Sequence, residues 1–276
     1  MAPEVPGLTL IDRLSAGGRS EVWRARNRAG RLVAVKWLRE LRDDLLIRHR
    51  AEGRLLLQLG GRRHLVACLE TIPDPPALVL EFLGEENLRH RIYRAGPDAH
   101  PTPLSVRDAL RAVLSAADAV GWLHRHGVIH RDVKPSNLVV AADGDVRLVD
   151  LGVAAHGNPP RGLPSGWIEE QVGSLGFAAP ELLRDASEAK PTLDIYGLGA
   201  TLYEAVSGRL PFDFRPAEDE ADLRARIAAG EPPISLSARG QFPAELSGLL
   251  ARALAPRAED RYQSVGALIE VLAALG

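Results

Sequence analysis

Residues 130–137 read HRDVKPSN, and DLG follows at residues 150–152. Asp132 carries a carboxylate that can accept the proton of a hydroxyl group. Asn137 and Asp150 carry hard oxygen atoms of the kind that Mg²⁺ prefers as ligands. Phosphoryl transfer depends mainly on such positioning and charge-stabilising groups. The spacing therefore predicts a phosphoryl-transfer centre, with a polar turn between two strands as the alternative.

A lysine ends the apolar run VAVK at residues 33–36, whose branched side chains predict a β-strand. A buried ammonium group needs an anionic partner, so Lys36 is either paired or lies at an exposed strand edge. Glu52 is the best candidate partner, because it follows Lys36 within a segment that has a helical pattern of apolar residues. Glu40 is the rival, but it lies too close to the strand end to belong to a packed helix.

The first part of the chain, from about residue 8 to residue 82, has the pattern of a small β-rich unit. One helix is predicted at residues 45–59. Strands are predicted at residues 32–38, 65–71 and 77–82. The basic residues that run from Arg48 to His64 are interpreted as a solvated helix face and a loop, with a docking surface as the alternative.

The rest of the chain is predicted to be mainly helical. Ser105, followed by Asp108 three residues later, predicts an N-cap for a helix that ends near His126. Short strands are predicted at residues 128–129 and 138–140, on either side of HRDVKPSN. Further helices are predicted at about residues 179–184, 192–207, 218–229, 245–254 and 264–275.

Composition excludes several classes of protein. The 276 residues carry a net charge of −2, so no global positive field favours nucleic acid. The chain contains one cysteine, which excludes an internal disulfide framework and predicts a reducing, cytoplasmic location. The N-terminal residues lack the pattern of a signal peptide, and no apolar run reaches the length of a membrane segment. The sequence carries no signal for an oligomeric state.

The chain resembles the catalytic domain of eukaryotic-like (Hanks-type) bacterial Ser/Thr protein kinases. HRDVKPSN resembles the catalytic loop of that family, and the lysine two residues after its aspartate is typical of the Ser/Thr branch. DLG resembles the metal-binding motif Asp-Phe-Gly, with leucine at the middle position. GSLGFAAPE at residues 173–181 resembles the end of the activation segment, with Ser174 in the place of the usual threonine.

The resemblance implies an α+β, bilobal protein-kinase-like fold. The N-lobe, residues 8–83, would be small and β-rich with one regulatory helix, and the C-lobe, residues 84–276, would be larger and mainly helical. Asp194 would anchor the catalytic loop from a buried helix. Glu181 and Arg261 would form a structural ion pair.

The implied function is ATP- and Mg²⁺-dependent transfer of the γ-phosphoryl group to Ser/Thr hydroxyls of protein substrates. The residues implied in catalysis are Asp132, Lys134, Lys36 and Glu52, and those implied in holding Mg²⁺ are Asn137 and Asp150. The residues implied in binding ATP are Leu14, Gly17, Val22, Ala34, Lys36, Leu80, Glu81, Leu83, Asn87 and Val139.

Two departures from the family pattern bear on this expectation. In LSAGGRSEV at residues 14–22, Ser15 and Ser20 replace the first and third glycines of the phosphate-binding loop. A stiffer or weaker phosphate cradle is expected, because glycine lets a backbone approach phosphates closely. Ser136 occupies a position that is acidic in kinases that prefer basic substrates, which removes one reason to expect an arginine-directed preference.

Two alternative functions remain open at this stage. A pseudokinase would bind nucleotide or partners without turnover, and the altered glycine-rich loop favours it slightly. A small-molecule phosphotransferase of related fold is opposed by Lys134, by APE at residues 179–181 and by the Asp194 helix. In the resembling family these features serve a protein-substrate platform.

Overall fold

The computed structural model describes residues 4–16, 20–62, 64–93, 100–152, 154–156 and 175–276. Gly17 and Ser174, both named above, lie outside these ranges. The contacts within the chain group it into two compact units. One comprises Met1–Glu85 and Val139–Val153, and the other comprises Glu86–Leu138 and Ala154–Gly276. The boundary between residues 83 and 84 stays a prediction.

The first unit is built on a five-stranded antiparallel sheet with the strand order β1-β2-β3-β5-β4. The strands are β1 (Leu8–Ala16), β2 (Ser20–Asn27), β3 (Leu32–Leu38), β4 (Cys68–Pro73) and β5 (Pro76–Glu81). The branched and apolar residues predicted the central strand β3 with its observed bounds. A central position suits such a strand, because β2 and β5 hydrogen-bond to its two edges and its side chains are mostly buried.

The two faces of this sheet differ in composition. One face packs a hydrophobic cluster that includes Val33, Val35 and Val79. Side chains alternate between the faces of a strand, so Ala34 and Lys36 belong to the other face. Across this second face Lys36 pairs with Val22 on β2, and Ala34 pairs with Leu80 on β5. The alternation along β3 therefore places Val33 and Val35 on one face and the only charged side chain of this strand, Lys36, on the other.

The helix α1 (Asp43–Leu59) lies between β3 and β4 in the chain. Its buried side includes Leu45, Glu52 and Leu56. Gly53 allows close packing on the sheet, because a Cβ atom there would lie 2.7 Å from Leu78 and 2.9 Å from Thr71.

The interpretation of the basic run from Arg48 to His64 as a solvated face is wrong for part of its members. Arg48, His49 and His64 are buried. Arg50 and Arg54 are exposed, as predicted. Helical geometry explains the split, because residues 48, 49 and 52 turn toward the sheet while residues 50 and 54 turn away from it.

The second unit is mainly helical. Its helices are α2 (Leu88–Ile92), α3 (Val106–Arg125), α4 (Pro180–Arg184), α5 (Pro191–Ser207), α6 (Glu220–Ala228), α7 (Ala244–Ala253) and α8 (Val265–Leu275). The predicted helices are therefore present within one or two residues of their expected bounds. Ser105 caps α3 as predicted, since its hydroxyl oxygen accepts a hydrogen bond from the Asp108 backbone N–H at 3.1 Å.

Helix α5 is the central element of this unit. All but two of its residues are buried, as expected for a helix that is apolar on every side. It ends at Gly208, whose φ of +67° is the left-handed conformation that terminates many helices. Helix α3 packs against both α5 and α8. The aspartate that α5 carries, Asp194, is thus held in the middle of a rigid framework.

Four short strands complete the part of the chain that the structure describes. They are β6 (Val128–Ile129), β7 (Leu138–Val140), β8 (Val146–Leu148) and β9 (Ala155–His156). Strand β6 pairs with β9, and β7 pairs with β8. Among the helices of the described ranges, none combines the length and the apolar character that crossing a membrane requires.

Candidate active site

Lys36 lies on β3 in the first unit and is paired with two carboxylates. Its Nζ atom is 2.8 Å from each carboxylate oxygen of Glu52 and 2.8 Å from Oδ1 of Asp150. Lys36 is 7 % exposed and Glu52 is 2 % exposed. Burial alone would lower the pKa of Lys36, but the charges of Asp150 and Glu52 raise it above its ordinary value. The ammonium group therefore stays charged in a site that excludes most water.

The pairing with Glu52 is the one that the sequence predicted, whereas Asp150 as a partner of Lys36 was missed. Glu40, the rival, lies in an exposed bend after β3. Nothing in the sequence relates positions 36 and 150, because only folding brings residues so far apart in the chain together.

Asp150 and the two residues after it are held in a strained turn. Asp150 has a φ of +68°, which is uncommon for a residue other than glycine. Its Oδ1 atom also accepts a hydrogen bond from the Gly152 backbone N–H at 3.0 Å. The Leu151 backbone N–H donates to Glu52 Oε1 at 3.2 Å, and the Leu151 side chain is buried. The DLG motif is thus tied to α1 through Glu52.

Gly152 matters to this site because of the space that it leaves. A Cβ atom at this position would lie 3.0 Å from Asp150 Oδ1, 3.4 Å from Glu52 Oε2 and 3.6 Å from Lys36 Nζ. A side chain at this position would therefore crowd Asp150 Oδ1 and touch the other two charged groups. The Asp150 side chain is 41 % exposed, so solvent reaches this carboxylate.

Three of the apolar residues implied in nucleotide binding, Val22, Ala34 and Leu80, lie on the face of the sheet that carries Lys36. Val22 is directly opposite Lys36, and Ala34 is opposite Leu80, with Ala34 and Leu80 buried. Leu14 and Val139 are partly exposed, so their side chains retain apolar surface that a flat ring can cover.

The segment after β5 offers backbone groups. The Glu81 backbone N–H donates a hydrogen bond to the Ala67 carbonyl oxygen at 3.0 Å. Within the described part of the chain, the Leu83 backbone N–H makes no hydrogen bond. Gly84 approaches β7 closely, because a Cβ atom there would lie 3.0 Å from the Val140 carbonyl oxygen. This segment therefore presents a donor that a heterocyclic ligand can use.

Asn87 has a structural role in the second unit that the sequence did not predict. It is the N-cap of α2, and its side-chain oxygen accepts a hydrogen bond from the His90 backbone N–H at 2.9 Å. The contact with ribose that the resemblance implies stays a prediction, and the amide nitrogen is the group left to make it.

The catalytic-loop residues of the second unit form a compact cluster. Asp132 Oδ2 is 2.7 Å from Lys134 Nζ. Asn137 Nδ2 donates to the same oxygen at 3.0 Å and to the Asp132 carbonyl oxygen at 2.9 Å. Both hydrogen bonds use the amide nitrogen of Asn137, which leaves its amide oxygen as the atom suited to a hard cation.

Asp194 anchors the backbone at the start of HRDVKPSN. Its Oδ1 atom accepts the Arg131 backbone N–H at 2.7 Å, and its Oδ2 atom accepts the His130 backbone N–H at 2.9 Å. Arg131 has a φ of +67°, so the buried carboxylate holds the backbone in a conformation that costs energy. His124 Nε2 lies 2.7 Å from Asp194 Oδ2, a contact that no pattern in the sequence indicates.

The predicted pair of Glu181 and Arg261 is present and buried. The two terminal nitrogens of Arg261 lie 2.7 Å and 2.9 Å from the two carboxylate oxygens of Glu181. The same guanidinium donates to the backbone carbonyls of Thr192, Ala255 and Pro256. The planar fork of arginine matches this set of acceptors, and no other side chain provides it.

We expect Arg261→Lys to lower the free energy of unfolding by about 2–4 kcal/mol, because lysine has too few donors for these buried acceptors. Denaturant unfolding measures the change. Arg257→Lys is the control, since Arg257 is 74 % exposed and solvent screens its ion pair with Glu259, so its stability should stay close to that of the unmodified protein. Equal stability of the two variants would contradict the structural importance of the pair.

His49 is a buried histidine next to the Lys36 site. Within the described residues neither of its ring nitrogens has a hydrogen-bond partner. Burial, together with the charge of Lys36, lowers the pKa of His49 to about 4. The folded protein therefore holds this ring neutral at pH values where an exposed histidine would be charged.

Acid is expected to destabilise the protein through His49. The unfolded chain binds a proton on His49 below about pH 6.5, whereas the folded chain resists until about pH 4. The free energy of unfolding should thus fall as the pH drops through this window, by up to about 3 kcal/mol from this residue. When denaturant unfolding is measured at several pH values, the free energy of unfolding should decline less steeply with falling pH in His49→Leu. His100→Leu, at an exposed position, should retain the decline of the unmodified protein; identical slopes in all three proteins would disprove the assignment.

Comparison with known proteins agrees with this geometry. Residues 8–270 match the protein kinase domain family. The chain is 34 % identical over 270 residues to the serine/threonine-protein kinase PknL of Mycobacterium tuberculosis, covering 95 % of this chain and 64 % of PknL. It is 32 % identical over 293 residues to PknA of the same species, covering 100 % of this chain and 64 % of PknA. With PknK, also of that species, the identity is 31 % over 276 residues, covering 95 % of this chain and 23 % of PknK.

The chain spans 64 % of the length of PknL and of PknA. The family match covers nearly all of the sequence and includes every candidate site residue described above. It confirms the fold class that the sequence predicted, with its β-rich unit and its mainly helical unit. This chain is a member of the protein kinase domain family.

Proposed function

We propose that this chain catalyses the ATP- and Mg²⁺-dependent transfer of the γ-phosphoryl group to serine and threonine hydroxyls of protein substrates. The observation that carries the proposal is the buried ammonium of Lys36, held at 2.8 Å by both Glu52 and Asp150. A fixed positive charge in a site of low dielectric suits the phosphates of a nucleotide, because electrostatic attraction is strong there. In this proposal Lys36 contacts the phosphates and Glu52 positions Lys36.

The base of ATP would bind to the face of the sheet that carries Lys36. Val22, Ala34 and Val139 would cover the ring, Leu80 would limit its depth, and the Leu83 backbone N–H would donate to it. This assignment rests on the free donor at Leu83 and on the pairing of Val22 with Lys36 across β2 and β3. Leu14, Gly17, Glu81 and Asn87 complete the proposed nucleotide site by resemblance alone.

Mg²⁺, when bound, would neutralise charge on the phosphate oxygens. Asn137 and Asp150 are the residues that we assign to it. The donor set fits a hard cation, because the Asn137 amide nitrogen is used within the loop and the Asp150 carboxylate is partly exposed. The described residues contain no cluster of three or more His, Cys, Asp or Glu side chains that could hold a metal by themselves. The proposal therefore needs the amide oxygen of Asn137.

Asp132 would orient the acceptor hydroxyl and take its proton. Lys134 lies 2.7 Å from this carboxylate and would place its charge beside the phosphoryl group in transfer. The hydrogen bonds from Asn137 and the anchoring by Asp194 hold Asp132 before any substrate arrives. Such pre-organisation is what transition-state stabilisation requires.

The acceptor class rests on the names of PknL, PknA and PknK, all of which are serine/threonine-protein kinases. We also propose that residues 8–83 and 84–276 act as the two lobes of one kinase domain. A cytoplasmic location and protein partners, not nucleic acid, are proposed from the single cysteine and the net charge of −2.

The deciding experiment incubates the purified chain with γ-labelled ATP, Mg²⁺ and myelin basic protein, and maps the modified residues by mass spectrometry. We expect label on serine or threonine, and none when EDTA removes the metal. Tight nucleotide binding without transfer would favour a pseudokinase. Label on a small molecule but on no protein would favour a small-molecule phosphotransferase.

A further inference from the structure

A carboxylate on β2 collects donors from three strands of the first unit. Glu21 Oε2 accepts hydrogen bonds from the indole nitrogens of Trp23, at 3.0 Å, and Trp37, at 3.3 Å. Glu21 Oε1 accepts a hydrogen bond from Arg13 at 3.3 Å and lies 3.8 Å from the Arg39 guanidinium. Arg13 belongs to β1 and Trp37 to β3, so a single side chain links β1, β2 and β3.

Glu21 lies close to residues 17–19, in the segment 14–22 whose sequence resembles a phosphate-binding loop. It pairs with Ala16 in the last pair of the β1–β2 ladder before residues 17–19, and with Trp37 on β3. The next residue, Val22, pairs with Lys36 and faces the opposite side of the sheet. Anchoring Glu21 on one face therefore fixes Val22 on the other.

The register of β2 depends on such an anchor. A shift of one residue in a strand moves every side chain to the other face, which would take Val22 away from Lys36. The Glu21 carboxylate is only 7 % exposed. The hydrogen bond from Trp23, followed by those from Trp37 and Arg13, lowers the pKa of Glu21, so the charged acceptor is the form that the sheet holds.

The contacts of Glu21 matter here because Ser15 and Ser20 stand where the family has glycine. Serine allows fewer backbone conformations than glycine at positions 15 and 20, which belong to the ends of β1 and β2. The placement of these two strand ends then matters more for the approach of a phosphate. β1 ends at Ala16 and β2 begins at Ser20, and both ends are adjacent to the pair formed by Ala16 and Glu21.

We propose that Glu21 is a positioning residue for nucleotide binding, which fixes the strand ends around residues 17–19 and keeps Val22 beside Lys36. The proposal deepens the nucleotide site of the proposed function and rests on it. Glu21 does not touch the nucleotide in this account. It acts through the placement of the β1–β2 hairpin.

Glu21→Gln tests the proposal, because glutamine has nearly the same size but replaces one acceptor oxygen of the carboxylate with an NH₂ donor. All four partners of Glu21 are donors, and the glutamine NH₂ group would face either the two indoles or the two guanidinium groups. We expect the KM for ATP and the Kd of a fluorescent ATP analogue to rise about 5- to 10-fold. The kcat at saturating ATP should stay within about twofold, because no group at the reacting atoms changes.

Two controls separate positioning from a general loss of stability. Glu70→Gln removes an exposed carboxylate from β4 and should leave the KM for ATP unchanged. Trp23→Phe removes the donor at 3.0 Å and should raise the KM for ATP as well, and the double variant should show less than the sum of the two single effects, since Trp23 and Glu21 contact each other. Additive effects, or a fall in kcat with KM unchanged, would overturn the proposal.

A measurement without nucleotide keeps the result independent of the proposed activity. Hydrogen exchange at the backbone amides of residues 13–16 and 20–22 should be faster in Glu21→Gln than in the unmodified chain. Unchanged exchange at these residues overturns the positioning role, whether or not the chain transfers phosphate. Faster exchange in a chain that transfers no phosphate would instead support the anchor and contradict the proposed function.

Discussion

Asp132→Asn is expected to lower kcat by about 10²- to 10⁴-fold, the range that general acid–base groups contribute. Asparagine cannot take the proton of an acceptor hydroxyl. Its amide oxygen can still accept hydrogen bonds from Asn137 and Lys134, which now lie 3.0 Å and 2.7 Å from Asp132 Oδ2, so the loop should keep its shape. The Kd of an ATP analogue should therefore stay within about twofold of the unmodified value.

Asp150→Asn serves as the paired variant, because it removes a proposed metal ligand and not the hydroxyl-orienting group. We expect turnover to be lost here as well, together with the Mg²⁺-dependent part of nucleotide affinity. Asp260→Asn, at an exposed position far along the chain, should match the unmodified protein in both assays. Near-normal turnover of Asp132→Asn and Asp150→Asn would refute the proposed function.

Lys36→Met is expected to lower turnover by at least about tenfold, which corresponds to about 1.4 kcal/mol of transition-state stabilisation. Methionine fills a similar volume but provides no charge for the phosphates. The substitution also leaves Glu52 and Asp150 without the ammonium that both now contact at 2.8 Å. The free energy of unfolding should fall by on the order of 3 kcal/mol, because a buried carboxylate loses its partner.

The double variant Lys36→Met/Glu52→Gln separates these two effects. Glutamine removes the unpaired buried charge, and its side-chain oxygen can still accept the Leu151 backbone N–H that Glu52 accepts at 3.2 Å. Denaturant unfolding should show that most of the lost stability returns, while turnover stays low. If turnover returned along with stability, Lys36 would have only a structural role.

Local chemistry explains which elements the sequence could predict. The branched run of β3 and the Ser105 cap of α3 specify their own conformation through contacts with near neighbours in the chain. The pairing of Lys36 with Glu52 was predictable for a related reason: a lysine in an apolar strand requires a carboxylate, and the next helix offers one in a suitable position. Asp132 and Asn137 are five residues apart, so one tight turn brings them together.

Other features required knowledge of which side of an element is buried. The basic run of α1 looked solvated, yet Arg48 and His49 are buried against the sheet while Arg50 is exposed. Asn87 was assigned to ribose, and its side chain has in addition a capping role in α2 that the sequence did not predict. Residue type alone leaves such features open, because the packing of neighbouring elements decides which side of a helix is buried.

The sequence by itself determined the family, the longer helices with the central strand β3, and the identity of the charged groups, because each depends on residue type and on short spacings. Tertiary structure alone decided the contact of Asp150 with Lys36, the hydrogen bond of His124 with Asp194, and the collection of donors around Glu21. Hydrogen bonds and ion pairs form between atoms about 3 Å apart. Residues distant in the chain reach that separation only when the sheet register and the helix packing have placed their backbones.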